Sequence, residues 1–471
     1  MDKYDIAIIG GGPGGYPAAI RAAQLGASVV LIEKELAGGT CLNWGCIPTK
    51  TLIAAASFYA RAKHEIPPGL KAADVTFDYK EMIGNKNRVV AKLRNGVSHL
   101  LKANGVEFLQ ASASFAGRNL LLLKDAGGEE SSLEAKYIVI AAGCVSAVPA
   151  FLPRDEKIVE SRAFLERDKL PEKLIVLGGG IIGCEFACMA AQLGAEVVIV
   201  ELLEDIMTNV DKDLRAEVRR HMEKNLKIQI LTGKPLENIV CGGKTVKGQC
   251  GDKLLEAELL LCAVGRVPAS ANLALEQCGL KANGKGFIET DADCRTQAAN
   301  IFAIGDINGK YQLAHAATAQ GIAAVETALG HRRSKREPLI PSCIYTAPEL
   351  GVVGLSEQEA EKTGRKIVTG KFPFAALGKA VSSGETAGFV KWIADPATGQ
   401  LLGAGVAGAH ATELIAEATL AVQSELTYKE LGKTVHAHPT MSEAWMEAAH
   451  GVSGHCIHLP PNGKGRIKNA E

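Results

Sequence analysis

The chain has 471 residues, 47% hydrophobic and 22% charged, and its 52 basic and 52 acidic side chains leave a formal net charge of zero. That length suits three or four domain-sized units, and the charge balance removes any general electrostatic case for nucleic acid or anionic membranes as partners. No apolar run reaches the roughly 18 residues that a bilayer span needs, and a first strand entered almost at once after Met1 leaves no signal or transit peptide to expect.

Residues 4–33 read as a βαβ unit. Asp5-Ile6-Ala7-Ile8-Ile9 is a buried parallel strand, Gly10-Gly11-Gly12-Pro13-Gly14-Gly15 a turn, and an alanine-rich helix runs to Gly26 before the strand Ser28-Val29-Val30-Leu31-Ile32-Glu33. In such a fingerprint Gly10 makes the tight turn, Gly12 lets backbone amides approach a pyrophosphate, and Gly15 lets helix and strand pack closely. The helix N-terminus then faces the phosphates. Pro13 and Pro17 fall in or near the first helical turn, where a missing N–H costs little. Glu33 ends the unit where a ribose 2′-hydroxyl would be bound.

Next comes Gly38-Gly39-Thr40-Cys41-Leu42-Asn43-Trp44-Gly45-Cys46-Ile47-Pro48-Thr49-Lys50. In a regular helix, residues five apart are about 7.5 Å apart along the axis and point to different faces, whereas a disulfide wants Cα atoms within about 7 Å. A bridge here needs a bent backbone, and Gly45 and Pro48 are the residues that permit one. So small a loop removes little unfolded-state entropy, so a dithiol kept beside a redox cofactor is favoured over a structural staple; two unpaired buried cysteines are the bland alternative. The other cysteines of the twelve show no framework spacing. Cys144, Cys184, Cys188, Cys262 and Cys278 lie in apolar context and read as small core residues, which suits a reducing cytoplasm. No metal site is expected.

Further on, Lys136-Tyr137-Ile138-Val139-Ile140-Ala141-Ala142-Gly143 is a strand ending in a small-residue turn, and Val148-Pro149 a crossover. The opening pattern returns about 168 residues after its first appearance: Leu174-Ile175-Val176-Leu177, Gly178-Gly179-Gly180-Ile181-Ile182-Gly183, an alanine-rich helix to Gly194, and Glu196-Val197-Val198-Ile199-Val200-Glu201. Both helices end in Ala-Gln-Leu-Gly-Ala, residues 23–27 and 191–195. One GxGxxG is a weak signal, but two copies, each after a buried strand and each closed by an acid, point to two bound dinucleotides. Leu202-Leu203-Glu204-Asp205 offers no arginine for a 2′-phosphate, so the second copy should prefer NAD to NADP. The strand Leu259-Leu260-Leu261-Cys262 with Ala263-Val264-Gly265-Arg266 should end that module, and Ile301-Phe302-Ala303-Ile304-Gly305-Asp306 should return the chain to the first. The basic run 331–338 reads as a solvated linker. Strands such as Gly351-Val352-Val353-Gly354 and Gly388-Phe389-Val390-Lys391-Trp392-Ile393 then alternate with helices in a separate α+β domain.

With Gly14-Gly15-Tyr16, the cysteine segment, Ala303-Ile304-Gly305-Asp306 and His436-Ala437-His438-Pro439-Thr440-Met441-Ser442-Glu443-Ala444 in order across nearly the whole chain, the sequence resembles the flavin-dependent pyridine nucleotide–disulfide oxidoreductases, and within them the dihydrolipoyl dehydrogenases. The resemblance implies two Rossmann-like dinucleotide-binding domains and a C-terminal α+β dimerisation domain. FAD would lie in residues 1–147, NAD in 148–275, with 276–340 completing the FAD domain and 341–471 forming the homodimer interface. It implies NAD-dependent oxidation of dihydrolipoyl groups carried by the lipoyl domains of acyltransferase components or by the glycine cleavage carrier protein. The nearest alternative is a related reductase acting on another disulfide or on a metal ion. A flavoprotein kept only as a structural subunit is a third reading, which the intact cysteine and histidine motifs disfavour.

Carried over residue by residue, Cys41 is the interchange thiol and Cys46 the flavin-facing thiolate. Lys50 supports the flavin and that thiolate and pairs with Glu185. Gly143, Asp306 and Ala314 belong to the FAD site, and Gly265 to the exit of the second module. By itself Glu185 reads as a carboxylate favoured near a helix N-terminus, and Asp306 as a turn residue before Asn308-Gly309. His438 would be the acid–base and Glu443 its orienting carboxylate; on spacing alone Thr440-Met441-Ser442-Glu443 fits a capping box. His436 is the nearby rival, and His315 carries no assignment. The chain departs from the usual family pattern at Ala111, at Ala141-Ala142-Gly143-Cys144 and at Val267-Pro268-Ala269.

Overall fold

The computed structural model describes residues 2–331 and 338–460, so most of the expected linker and the end of the tail lie outside the described residues. A seven-stranded sheet is ordered Glu107–Gln110, Val29–Glu33, Asp2–Ile9, Glu130–Ile140, Leu120–Lys124, Ser112–Phe115, with Ile301–Ala303 also on Glu130–Ile140. Its strands at 2–9, 29–33, 107–110, 130–140 and 301–303 are parallel. Val29–Glu33 and Ile301–Ala303 are buried throughout, as are the last residues of Asp2–Ile9 and Glu130–Ile140, and the sequence accordingly reads as unbroken apolar runs there, whereas Glu107–Gln110 is an exposed edge strand. A second, wholly parallel sheet is ordered Gln229–Thr232, Glu196–Glu201, Lys173–Leu177, Leu259–Cys262, Ile158–Glu160. The antiparallel ladder Cys144–Ser146 with Arg266–Pro268 carries the chain into and out of this second unit.

The repeated Ala-Gln-Leu-Gly-Ala acts as a repeated helix stop. The helices Gly15–Gln24 and Ile181–Gln192 both end with glycine at positive φ, Gly26 at +87° and Gly194 at +95°. In each, the next alanine amide reaches back five residues, Ala27 to the Ala22 carbonyl and Ala195 to that of Ala190. That 6→1 bond is a Schellman cap, which needs glycine at the left-handed position.

The C-terminal part holds an antiparallel sheet ordered Ser342–Ile344, Leu350–Gly354, Leu401–Gly408, Gly388–Ala394, Val368–Pro373. Its core centres on Trp392 and Trp445, both fully buried with ring centroids 4.7 Å apart. Each indole N–H finds a carbonyl, Trp392 on Trp445 and Trp445 on Leu414, so neither donor is stranded. Gly370 lies so close to the Ala448 carbonyl that a Cβ would sit 2.1 Å from it. The helix Glu443–Val452 is thereby set against the sheet, and with it the His438 segment. Among the described residues no helix is long and apolar enough to cross a membrane.

Candidate active site

The register of the first sheet lines up the ends of its strands: Ile9 stands opposite Ile32 and Ile140, and Ile140 opposite Ala303. Gly10, Glu33, Ala141 to Gly143 and Asp306 therefore come together just beyond the carboxyl ends of parallel strands, where open α/β sheets form their binding crevice. The second sheet does the same with Leu177, Val200 and Cys262, bringing together Gly178, Glu201 and Gly265.

The glycines divide by cause. A Cβ on Gly10 would lie 2.3 Å from the Ala141 carbonyl oxygen, and one on Gly15 1.8 Å from that of Gly10. Gly178 and Gly183 repeat this at 2.5 Å from Ala263 and 2.0 Å from Gly178. Those four are imposed by the protein's own packing. The middle glycines are not: a Cβ on Gly180 meets nothing within 4 Å, and one on Gly12 only the Gly39 Cα at 3.9 Å. The space they keep open lies outside the protein, which is the fit expected for a pyrophosphate.

Both crevices carry the same carboxylate arrangement. Glu33 accepts the Gly11 amide at 2.7 Å and the Glu35 amide at 2.8 Å; Glu201 accepts those of Gly179 at 2.6 Å and Leu203 at 2.8 Å. Each oxygen keeps a second lone pair that could take a ribose hydroxyl. Arg215 and Arg219 come near the second loop from the helix Lys212–Lys224, but both pair with Asp205.

A third helix, Ala314–Ala328, lies alongside Gly15–Gln24. Thr318 donates to the Pro13 carbonyl at 2.8 Å, Gly321 packs on the Gly14 carbonyl, and Glu326 pairs with Arg21 at 2.6 Å. The contacts advance together along both chains, so the two helices run parallel and their positive ends converge. Neither of these helices nor Ile181–Gln192 has a side-chain N-cap. The first amides of Ile181–Gln192 and Ala314–Ala328 remain available to an anion, whereas those of Gly15 and Tyr16 turn back to the Gly12 carbonyl and Pro17 has none.

Cys41 and Cys46 form a disulfide with Cα atoms 4.7 Å apart. The backbone bend falls at Gly45, which separates the helix Gly39–Trp44 from Cys46–His64. A Cβ at Gly45 would crowd the Thr40 carbonyl at 3.0 Å and the Cys41 Cα at 3.3 Å. The bridged segment sits on the first fingerprint: the Gly38 amide donates to the Gly11 carbonyl at 2.9 Å, and Gly39, at φ +57°, packs against Gly12. Lys50, one turn after Cys46, pairs with Glu185 at 2.7 Å. Glu185 is 3% exposed, and its other oxygen accepts the Tyr345 amide at 2.9 Å. Lys50 Nζ also stands 4.7 Å over the Tyr345 ring. Tyr345 has no sequence signal that would have marked it.

His438 is exposed, and its Nδ1 lies 2.8 Å from Glu443. Burial would raise the Glu443 carboxyl, but the Thr440 amide and His438 outweigh it and hold it below its ordinary range. The capping-box reading of Thr440 needs correction. The helix starts at Glu443, and the Thr440 hydroxyl donates to the Ala437 carbonyl instead of accepting a helical amide. Glu443 keeps one half of that box, the back-bond to Thr440, while its other oxygen serves His438. The rival, His436, has both ring nitrogens engaged, by the Thr434 carbonyl at 2.9 Å and by Glu417 at 2.7 Å. His315 bonds the Pro341 carbonyl at 2.7 Å and joins the third helix to the C-terminal part.

The departures from the family pattern are accommodated. Ala111 is buried and its amide bonds the Glu33 carbonyl. Cys144 and Val267 lie in the two-stranded ladder. Cys184, Cys188, Cys262 and Cys278 are buried, as their apolar context suggests, and burial pushes the Cys188 thiol up to about 12. Asp306 lies in the 3-10 turn Gly305–Asn308, where its carbonyl accepts the amide of Gly309, φ +71°, and so is also the turn aspartate. One carboxylate cluster escaped sequence reading: Asp211, Asp213 and Glu357 converge. The ammonium of fully buried Lys391 stands among them at 2.7, 2.7 and 2.8 Å, and Lys371 also pairs with Asp213, so the cluster is held by lysines of the chain itself.

Residues 4–321 match the pyridine nucleotide-disulphide oxidoreductase family, and residues 340–449 match that family's dimerisation domain. The chain is 39% identical over 459 residues to a dihydrolipoyl dehydrogenase of Chlamydia pneumoniae, covering 98% of this chain and 99% of the relative. It is 39% identical over 466 residues to one of Bacillus subtilis, covering 97% and 98%. Among solved structures, LpdA from Mycobacterium tuberculosis superposes with a TM-score of 0.88 at 27% identity over 96% of this chain and 99% of that one. The HOCl-induced flavoprotein disulfide reductase RclA from Escherichia coli superposes with a TM-score of 0.85 at 29% identity, over 95% and 99%. The chain belongs to the pyridine nucleotide-disulphide oxidoreductases, flavoprotein oxidoreductases that work with FAD and NAD around a redox-active disulfide.

Proposed function

We propose that the protein is the shared dehydrogenase component of 2-oxo acid dehydrogenase or glycine cleavage complexes. As a homodimer in the cytoplasm, it oxidises protein-bound dihydrolipoyl groups with NAD. The observation that carries this reading is the Cys41–Cys46 disulfide seated on the first fingerprint. Near-full-length similarity to dihydrolipoyl dehydrogenases supports the substrate, and ten free cysteines, most of them buried, suit a reducing compartment.

The Glu443 carboxylate fixes the His438 ring with its proton on Nδ1, which leaves Nε2 as the base. His438 takes a proton from one substrate thiol there. The substrate thiolate attacks Cys41 Sγ; a mixed disulfide forms, the Cys41–Cys46 bond breaks, and Cys46 leaves as thiolate. The second substrate thiol closes on the first sulfur, its proton passing to the departing Cys41 sulfur, and the cyclic disulfide is released. The substrate has then lost two electrons and the cysteine pair has gained them. The first crevice, with Gly10, Gly12 and Glu33, would hold FAD and the second, with Gly178, Gly180 and Glu201, would hold NAD; when bound, the flavin would supply the two-electron relay between the cysteine pair and the nicotinamide. Lys50, oriented by Glu185, keeps a positive charge one turn from Cys46.

His438 lies far along the chain from Cys41, and the hydrogen-bond partner of its ring, Glu443, is also C-terminal. In this reading it serves the cysteines of the partner subunit. The test mixes His438→Gln with Cys41→Ser subunits under exchange. One site of each mixed dimer is then intact and the other carries both lesions, so dihydrolipoamide oxidation recovers to about half of wild type per mixed dimer. No recovery, with exchange confirmed separately, overturns the shared site. A second reading, a reductase of another disulfide or a metal ion, draws on the likeness to RclA, also solved as a Cu(II) complex. Parallel assays with dihydrolipoamide and with glutathione disulfide or Cu(II) separate the two.

A further inference from the structure

We propose that Arg266 is a positioning residue for Asp306, holding its carboxylate in place for the ribityl hydroxyls of FAD. The proposal rests on the reading that Asp306 belongs to the FAD site. Arg266 Nε lies 3.5 Å from Asp306 Oδ2, and both side chains are largely buried, at 17% and 23% exposure. Arg266 Nη2 donates to the Cys144 carbonyl. Cys144 in turn directs its thiol at the Asp306 carbonyl oxygen, 3.5 Å away, and receives the Gln312 amide at 3.9 Å. The strand entering the second unit thus holds the backbone of Asp306, and the strand leaving it holds the carboxylate.

The ladder between those strands does not need the arginine side chain. Main-chain bonds close it at both ends, from the Ala147 amide to Gly265 and from the Ala269 amide to Gly143, each at 2.9 Å. With Nη2 on the Cys144 carbonyl, Nε of the guanidinium is left to face the carboxylate. Burial pushes the Asp306 carboxyl above its usual range, and Arg266 is the cation that opposes this. Without it, a carboxylate in so dry a place loses its charge or swings toward water, and either change spoils an acceptor for ligand hydroxyls. Because Arg266 acts here through Asp306, removing it after Asp306 should add nothing.

The experiment follows flavin release from the holoenzyme by the rise in flavin fluorescence, for wild type, Arg266→Met, Arg266→Lys, Asp306→Asn and the double variant Arg266→Met/Asp306→Asn. Arg266→Met and Asp306→Asn should each release FAD about tenfold faster or more, with Arg266→Lys in between and the double variant no faster than Asp306→Asn alone. Wild-type release from Arg266→Met alongside fast release from Asp306→Asn overturns the proposal and leaves the assignment of Asp306 standing. Wild-type release from Asp306→Asn overturns that assignment instead. A double variant that multiplies the two effects shows Arg266 acting independently, as a purely structural residue would, and also overturns the proposal.

Discussion

Lys50 and Glu185 meet at 2.7 Å although 135 residues separate them, and the carboxylate that receives the lysine also holds the amide of Tyr345. One ion pair thus ties the helix after the disulfide to a helix of the second dinucleotide unit and to the C-terminal sheet. Glu185 is nearly sealed from solvent while Lys50 is partly open. Removing the lysine strands a buried charge, and removing both charges together does not. Lys50→Met should cost about 3 kcal/mol in urea unfolding, and Lys50→Met/Glu185→Gln should recover most of it. Additive losses across the cycle would mean that the two residues do not act as a pair.

The order of the two sulfurs is open to spectroscopy. With Cys46 as the flavin-facing thiolate, two-electron reduction should produce a long-wavelength charge-transfer absorbance. Cys46→Ser should abolish it, and Cys41→Ser should show it without reduction. A band that persists in Cys46→Ser reverses the assignment.

Nucleotide choice should follow Glu201. Its carboxylate is fixed by two backbone amides, so it cannot turn away from a 2′-phosphate, and the nearest arginines are taken by Asp205. NADP should be the poorer acceptor by about 2 kcal/mol, roughly thirtyfold in kcat/KM. Glu201→Ala should narrow the ratio. Equal wild-type turnover of the two nucleotides would remove the basis for this choice.

His436 and Glu443 of the C-terminal motif should contribute to stability with opposite dependence on pH. The Glu417 contact holds His436 above its ordinary value of 6.5, outweighing its burial. A group raised on folding contributes its full stability below the unfolded pKa and loses it as pH rises through the folded one. The stability gap between wild type and His436→Gln should therefore be widest near pH 6 and shrink toward pH 9, read by urea unfolding at each pH. Glu443, held below its ordinary value of 4.5, has the opposite sign: its contribution is present above that value and lost in acid. A His436→Gln gap that widens with pH contradicts the raised value.

Much of this protein is legible locally. The glycine turns, the Schellman stops and the apolar strands depend on backbone conformation and on hydrophobic period, properties of a few neighbouring residues. So does the bend that allows Cys41 to reach Cys46, since Gly45 and the short spacing are visible in the chain itself. The same local logic misplaced the cap at Thr440 and passed over two complete capping boxes among the described residues of the C-terminal part, Ser356 with Glu359 and Thr427 with Glu430. Spacing alone does not say whether a hydroxyl faces its helix.

Which charge answers which was decided only by the tertiary structure. Glu185 near a helix start and Asp306 in a turn were each complete as local features; the family resemblance named Lys50 for Glu185, and nothing in the sequence announced Tyr345 or Arg266 as partners. Burial is the reason. Desolvation makes an unpaired carboxylate costly, so the fold must bring a cation or an amide from elsewhere in the chain, and the identity of that donor is set by how the units pack. The sequence by itself determined the two dinucleotide turns and the disulfide; the packing of three units around them determined the charges that support each one.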